Sequence, residues 1–454
     1  MTEVLPPESS DPEPLPGGPW IDDNPVTAAR ALLLGVFLLM VGNGLQGSVV
    51  GVRTEAEGFS VGVAGLVMAA YFGGFLVGGR FSEYLLAQVG HIRVFAGLAS
   101  LASTAALVHA VLIHPLTWGL MRVTTGLCMA GLFVVCESWL NDLATNRTRG
   151  RMLSAYMVST MGGLTLGQFL LYAADTNGPE LFMLSSVLVS ASLIPVALSA
   201  SSNPPLVVPE AMSVRELYRQ IPTGIVGAFL NGAAVGIMTG LGAVYAVAVN
   251  IPDERIPYFL AAPLFGSLVF QWPIGLLSDR VPRRGVMAGV AAIAALVSLV
   301  LAATVDGSWL AIALMAALGA TSFPLYSLNI AYTADWLPSS KLTAASAALV
   351  RVNGIGALMG PLLATVVIAA TRSVAYFWTM AVANLAIVAF LLVRIMVVDA
   401  PAVSRQRQFV AFPARASSVA VGLMKGQRNR PAVSEAGEDR AGDRSFGPSR
   451  RRRA

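Results

Sequence analysis

The chain has 454 residues, 55% of them hydrophobic and only 12% charged, with a formal net charge of +5. Soluble domains carry roughly 25% charged residues, so the composition excludes a soluble globular protein and points to a chain whose solvent is a lipid bilayer. The basic excess lies in loops and in the C-terminal tail, where membrane orientation accounts for it, and no nucleic-acid partner is called for.

Residues 1–29 are acidic and proline-rich, the reverse of a signal peptide's positive start. They are expected to be a disordered cytoplasmic segment ahead of an uncleaved first span. A membrane span needs about 20 apolar residues. Twelve such runs follow, near 31–51, 62–82, 94–113, 116–139, 152–173, 181–200, 222–246, 257–277, 285–304, 309–330, 343–370 and 374–396. Lipid offers no partner for free backbone groups, so each run must be helical. The fold class is therefore an all-α polytopic membrane protein with twelve transmembrane helices.

The longest internal polar stretch, 201–221, divides the runs six and six. It reads as a cytoplasmic linker between an N-terminal bundle, 30–200, and a C-terminal bundle, 222–396. Residues 215–219 could form a short surface helix within it. Residues 397–454 lose apolarity abruptly and end in Arg450, Arg451, Arg452 and Arg453. They read as a disordered basic tail. Loops on one side carry Arg93, Arg147, Arg149, Arg151, Arg215, Arg219, Arg280, Arg283, Arg284 and Lys341. Those on the other carry Arg53, Arg255 and Arg372. The positive-inside rule then places both termini in the cytoplasm of an inner or plasma membrane.

Cys128 and Cys136 fall in one helix, about 12 Å apart along its axis, too far to bridge. His91, His109 and His114 have no ligand spacing. Neither a metal nor a cofactor is expected, nor any catalytic group.

The halves repeat weakly. Asn43-Gly44 matches Asn231-Gly232 at an offset of 188, and Gly163-x-x-x-Gly167-Gln168 matches Gly356-x-x-x-Gly360-Pro361 at 193. Small residues at this spacing let helices approach closely.

Polar groups inside spans are the candidates for a solute or proton pathway. Glu137, at a shallow depth near the inner end of the fourth run, reads two ways: as a proton-coupling carboxylate, or as an inner-gate lock paired with Arg93 or Arg80. Arg122 could line the pathway or snorkel outward. Arg351 and Asn353 lie within the eleventh run. Asn43, Gln46, Tyr71, Tyr156, Gln168, Asn231, Gln271 and Asn329 are uncharged polar residues in spans. They either line the pathway or bond across helices.

Residues 275–284 form a tight turn between two spans. It holds Gly275, then Asp279, then Arg280, Arg283 and Arg284. Gly275 would let a helix end approach another backbone. Asp279 could cap a neighbouring helix N-terminus. Asp335, before Trp336, is placed to pair with Arg283 or Arg284. This Gly-x-x-x-Asp-Arg-x-Pro-Arg-Arg stretch resembles the loop between helices 8 and 9 of the major facilitator superfamily. Gly-His-Ile-Arg-Val-Phe at 90–95 and Glu-Ser-Trp-Leu-Asn-Asp at 137–142 are similar to its YcaD-like bacterial branch. The first-half loop departs from the pattern: Ala87 stands where an acid is expected, with Glu83 one turn earlier. Gln168 stands where the helix 5 pattern has proline.

The resemblance implies two pseudo-symmetric bundles that rock about a central site, and a role for Arg122 in proton or solute handling. The expected function is a secondary transporter of a small solute, coupled to protons and working as a monomer. Efflux of amphipathic compounds and uptake of a sugar-like metabolite both fit. A facilitative uniporter and a non-transporting receptor on the same fold remain the alternatives.

Overall fold

The computed structural model describes residues 25–145, 148–198, 212–304, 307–338, 341–398, 403 and 406–412. Residues 1–24, most of the linker and 413–454 lie outside that set, so the expectations placed on them stay there. Among the described residues the chain is helical nearly throughout, and none is in a strand.

The first half comprises α1 (Pro25–Ala56), α2 (Val61–Val89), α3 (His91–Val111), α4 (Pro115–Leu143), α5 (Arg149–Phe169), α6 (Glu180–Ala191) and α7 (Leu193–Ala197). A short helix, α8 (Val214–Gln220), follows, with the Ser213 side chain accepting from the Glu216 N–H. It covers the 215–219 stretch of the linker. The second half comprises α9 (Pro222–Ala248), α10 (Ile256–Ser278), α11 (Arg283–Ala303), α12 (Trp309–Ser322), α13 (Pro324–Trp336), α14 (Leu342–Ala370) and α15 (Ala375–Val397). Pro324 lacks the N–H to continue α12 and opens α13 instead.

Among the described residues, eleven segments are long and apolar enough to cross a membrane, with α6–α7 and α12–α13 each making one span. The twelfth expected run, 152–173, is also helical, as α5 plus a 3-10 turn at Leu170–Ala173. It is too rich in polar and small residues to qualify by hydropathy. Its neighbours compensate, since α5 packs along α1 and against α10. Several helices outrun their apolar runs. The 29 residues of α4 make a rod of about 44 Å, longer than the roughly 30 Å hydrocarbon core.

Helix pairing repeats between the halves. In the first, α1 packs on α5 and α2 on α4. In the second, α9 packs on α14 and α10 on α12. Glycines set each contact. A Cβ at Gly163 would lie 2.7 Å from the Phe37 carbonyl oxygen, and one at Gly167 2.5 Å from that of Val41. Gly356 and Gly360 stand likewise, 2.1 Å from Phe229 O and 2.4 Å from Ala233 O. The α2–α4 and α10–α12 contacts use the same device, which the sequence reading missed. Gly74 meets Val123 O and Gly126 meets Tyr71 O, both at 1.9 Å; Gly266 meets Ala316 O and Gly319 meets Pro263 O, both at 2.0 Å.

The contacts fix the repeat at 192 to 193 residues, as Phe37 to Phe229 and Gly163 to Gly356 show. The match of Asn43 to Asn231, at 188, is therefore one helical turn out of register. Gly44 faces Leu164, whereas Gly232 faces Asn353.

The halves meet through α1–α9, α2–α14 and α5–α10. On the face opposite the Asp279 loop the contact is close. A Cβ at Gly51 would lie 2.6 Å from the Ala243 Cβ, and Phe169 meets Tyr258 edge-on at 5.2 Å. Tyr172 donates to the Glu254 carbonyl there.

Replacing Gly356 with Ala places a methyl against a backbone carbonyl that cannot yield. We expect a loss of about 1–3 kcal/mol, read as a lower unfolding temperature in detergent. Gly285→Ala, with open space around it, should leave that temperature unchanged or raise it.

Candidate functional site

A cavity of about 80 Å³ lies between the bundles. The first half supplies most of its polarity: Asn43 and Ser48 from α1, Tyr71 from α2, Arg122 from α4 and Gln168 from α5. The second half supplies an apolar wall of Met238, Leu260, Pro263, Leu264 and Met315, with Thr239 as its hydroxyl. Arg122 is the one charged side chain among the described lining residues.

Arg122 sits about 10 Å along α4 from its start at Pro115. It does not reach outward. Its guanidinium carbon lies 4.6 Å from the Tyr71 ring centroid, and the residue is buried. The aromatic face attracts the cation where water is scarce. Gln168 is fixed from both ends, accepting from the Ser48 hydroxyl and donating to Leu164 O at 3.0 Å. Ser48 and Thr239 were not among the sequence candidates, because a lone hydroxyl in a span gives no signal.

The remaining candidates scatter. Gln46 turns to Thr125 at 3.5 Å. Asn353 braces α14 on α9 by donating to Ala228 O at 3.0 Å, and Arg351 donates from Nε to Ala347 O at 3.2 Å. Asn329 donates to Leu325 O. The Asn231 amide is buried, and among the described residues neither end has a partner. Gln271 donates to Ser327 Oγ at 3.0 Å.

Glu137, six residues before the end of α4, lies inside the protein. It is fully buried, and Tyr156, equally buried, donates to its Oε1 at 2.8 Å. Arg80 and Arg93, the cations expected to lock it, are exposed. The cause is packing: α5 lays Tyr156 across the inner half of α4.

The second cluster lies at the Asp279 loop. Arg283 is buried and donates from Nη1 to Asp335 Oδ2 at 2.6 Å and from Nη2 to Asp279 Oδ1 at 3.0 Å. Arg284 turns elsewhere. Its Nη1 donates to Arg394 O and Val398 O, at 2.9 and 2.8 Å, so it closes the end of α15. Arg280 is exposed. In the first half the position of Arg283 is taken by His91, whose Nε2 lies 3.1 Å from Ser138 Oγ.

Two expectations for the loop are corrected. Among the described residues Asp279 caps no helix N-terminus; its Oδ1 also accepts the N–H of Phe409 at 2.8 Å. Gly275 admits a ring rather than a backbone, since a Cβ there would lie 2.2 Å from Phe409 Cδ1. Phe409 belongs to residues 406–412, placed by the sequence reading in a disordered tail. The signal that could have found them is the apolar run Phe409-Val410-Ala411-Phe412 inside a basic segment.

Asp335 is only 2% exposed and Arg283 1%. Removing one partner of such a pair strands the other's charge, so Asp335→Ala should cost about 3–5 kcal/mol in thermal unfolding. Lys341→Ala breaks an exposed pair with Glu216 at 4.0 Å and should change stability by less than about 1 kcal/mol.

Known proteins match this architecture. The sequence profile of the Major Facilitator Superfamily matches residues 32–262 and 224–434. The MFS-type transporter YcaD of Escherichia fergusonii is 29% identical over 333 residues, covering 73% of this chain and 86% of the relative. The fold superposes on the nucleoside transporter NupG with a TM-score of 0.67 at 11% identity, covering 81% of this chain and 99% of the other. It also superposes on a bacterial homolog of the human lysosomal transporter Spinster in an inward-facing, unoccupied conformation. There the TM-score is 0.60 at 16% identity, over 89% of this chain and 99% of the other. Two glycine-packed halves around a shared polar cavity thus have a family: the chain belongs to the major facilitator superfamily, resembles its YcaD-like branch, and is a multi-pass membrane transporter.

Proposed function

We propose that the chain is a secondary transporter that exposes the central cavity to one side of an inner or plasma membrane at a time. Both termini are cytoplasmic in this reading, so the Asp279 loop faces inward. The supporting observation is the cavity itself, built from both halves and shut on the opposite face by Gly51 against Ala243 and Phe169 against Tyr258. A swing of one half against the other opens that seam without unfolding either half.

The lining suits an amphipathic solute with a weakly anionic group. Arg122 and Tyr71 offer a cation and a ring on one side, and Met238, Leu260 and Met315 a greasy wall on the other. Glu137 is the proton carrier in this proposal. It lies 15 residues from Arg122 on α4, about 22 Å along the axis, so one rigid rod connects the solute and proton groups. A swing of the halves would carry this carboxylate between enclosed and wetted surroundings, the alternation a proton carrier needs.

A thermal-shift screen of purified protein against metabolites and amphipathic drugs identifies a ligand. In proteoliposomes, uptake of that ligand should follow an imposed pH gradient. Glu137→Gln should lose the gradient response at least tenfold while keeping solute counterflow. Gradient-driven uptake unchanged by Glu137→Gln removes it as the coupling group, and uptake indifferent to pH in the parent favours a uniporter.

A further inference from the structure

Residues 406–412 do not trail away from the second bundle. They lie in extended form in the angle between the inner ends of α10 and α13, beside the start of α11. The backbone does most of the holding. The Arg407 N–H donates to Asp335 Oδ1 at 2.8 Å and the Phe409 N–H to Asp279 Oδ1 at 2.8 Å. The Arg407 carbonyl accepts from Arg283 Nη2 at 2.8 Å. Deeper in, the Phe412 N–H donates to Ser327 Oγ at 2.9 Å, and its carbonyl accepts from Gln271 Nε2 at 3.0 Å. Phe412 is 1% exposed, and the Phe409 ring fills the space that Gly275 leaves.

Charge explains why the groove takes a peptide. Asp279 and Asp335 share one arginine, Arg283, so the trio carries one uncompensated negative charge. Asp335 is too buried for water to supply every donor it needs. Two backbone N–H groups, two residues apart along the segment, reach both carboxylates from one side. The Arg407 guanidinium, donating to Leu337 O at 3.1 Å, adds a positive charge nearby. Hydrogen bonds to ionised acceptors are the stronger kind. Farther along, Gln271 and Ser327 match the N–H and carbonyl of a single residue.

We propose that this groove is a peptide-binding latch whose occupant is the chain's own tail. Seated, residues 406–412 cover Gln271 and Ser327 from the Asp279 side and occupy Asp279 itself. Released, they leave those groups facing water. Ordering seven residues costs about as much as these hydrogen bonds and two rings return, so seated and released states lie close enough to exchange. The proposal rests on the reading that the inner ends of α10 and α13 border the solute route. Its test reads chemical accessibility and needs no transported solute.

The reporter is Ser327→Cys, whose sulfur still offers the Phe412 N–H a weak acceptor, in vesicles with the Asp279 loop outward, treated with a membrane-impermeant maleimide. Cys128 and Cys136 are buried, so background labelling is low. In the full chain the reporter should label slowly. Ending the chain after Pro401, or combining Phe409→Ala with Phe412→Ala in the full chain, should speed labelling at least tenfold. A synthetic peptide of residues 403–412 added to the shortened chain should restore slow labelling. The point pair keeps the test readable should the shortened chain fail to fold. Equal rates in full and altered chains overturn the latch. Faster labelling that the peptide does not reverse also overturns it, by showing a fixed structural strap. Loss of proton-driven uptake through Glu137→Gln would leave either result untouched.

Discussion

Helices in lipid gain nothing from hiding apolar surface, because the lipid is as apolar as they are; they associate through close backbone approach and a few polar bonds. This fold depends on that constraint. Its strongest contacts are made where glycine lets one helix press on another's carbonyls: α1 on α5, α2 on α4, α9 on α14 and α10 on α12. A methyl group at Gly74, Gly126, Gly266 or Gly319 would lie within 2.0 Å of a backbone oxygen. Each half is therefore held rigid internally. The seam between halves is lined by side chains, among them Thr365 against Gly65 and Tyr258 against Phe169. Side chains can part where interlocked backbones cannot, which suits the halves to move as bodies.

Polarity is distributed unevenly over this frame. The first half carries Arg122, Tyr71 and Gln168 at the cavity and the Glu137–Tyr156 pair deeper in. The second half is nearly apolar at the cavity and concentrates its charge at the Asp279 loop, where Arg283 joins two carboxylates. The repeat is thus exact in packing and broken in chemistry. In our reading, one half recognises solute and proton, and the other governs the inner mouth.

Much of the architecture was legible in the sequence because lipid imposes a length and an apolarity on every span. The glycine pattern at 163, 167, 356 and 360 marked faces of close approach, and the structure sets those faces against α1 and α9. The Asn43–Asn231 match misled by one turn, because two residues recurring by chance outweigh no packing constraint. Site depth was harder to read. Glu137 looked shallow from its distance to the helix end, yet Tyr156 from α5 encloses it. Nothing in the sequence of α4 announces that neighbour. The role of Asp279 was likewise hidden, since its partner Phe409 lies 130 residues away in a segment that composition alone marks as solvated.

The central claim is that the two halves swing about the cavity. Electron-resonance distances between spin labels test it most directly. One pair would join Glu55 to Asp253 on one face, the other Val89 to Lys341 on the opposite face; all four are exposed. The account predicts two populations at each pair, with the first distance lengthening under conditions in which the second shortens. A single unchanging distance at both pairs, across pH and across every ligand that binds, would contradict it.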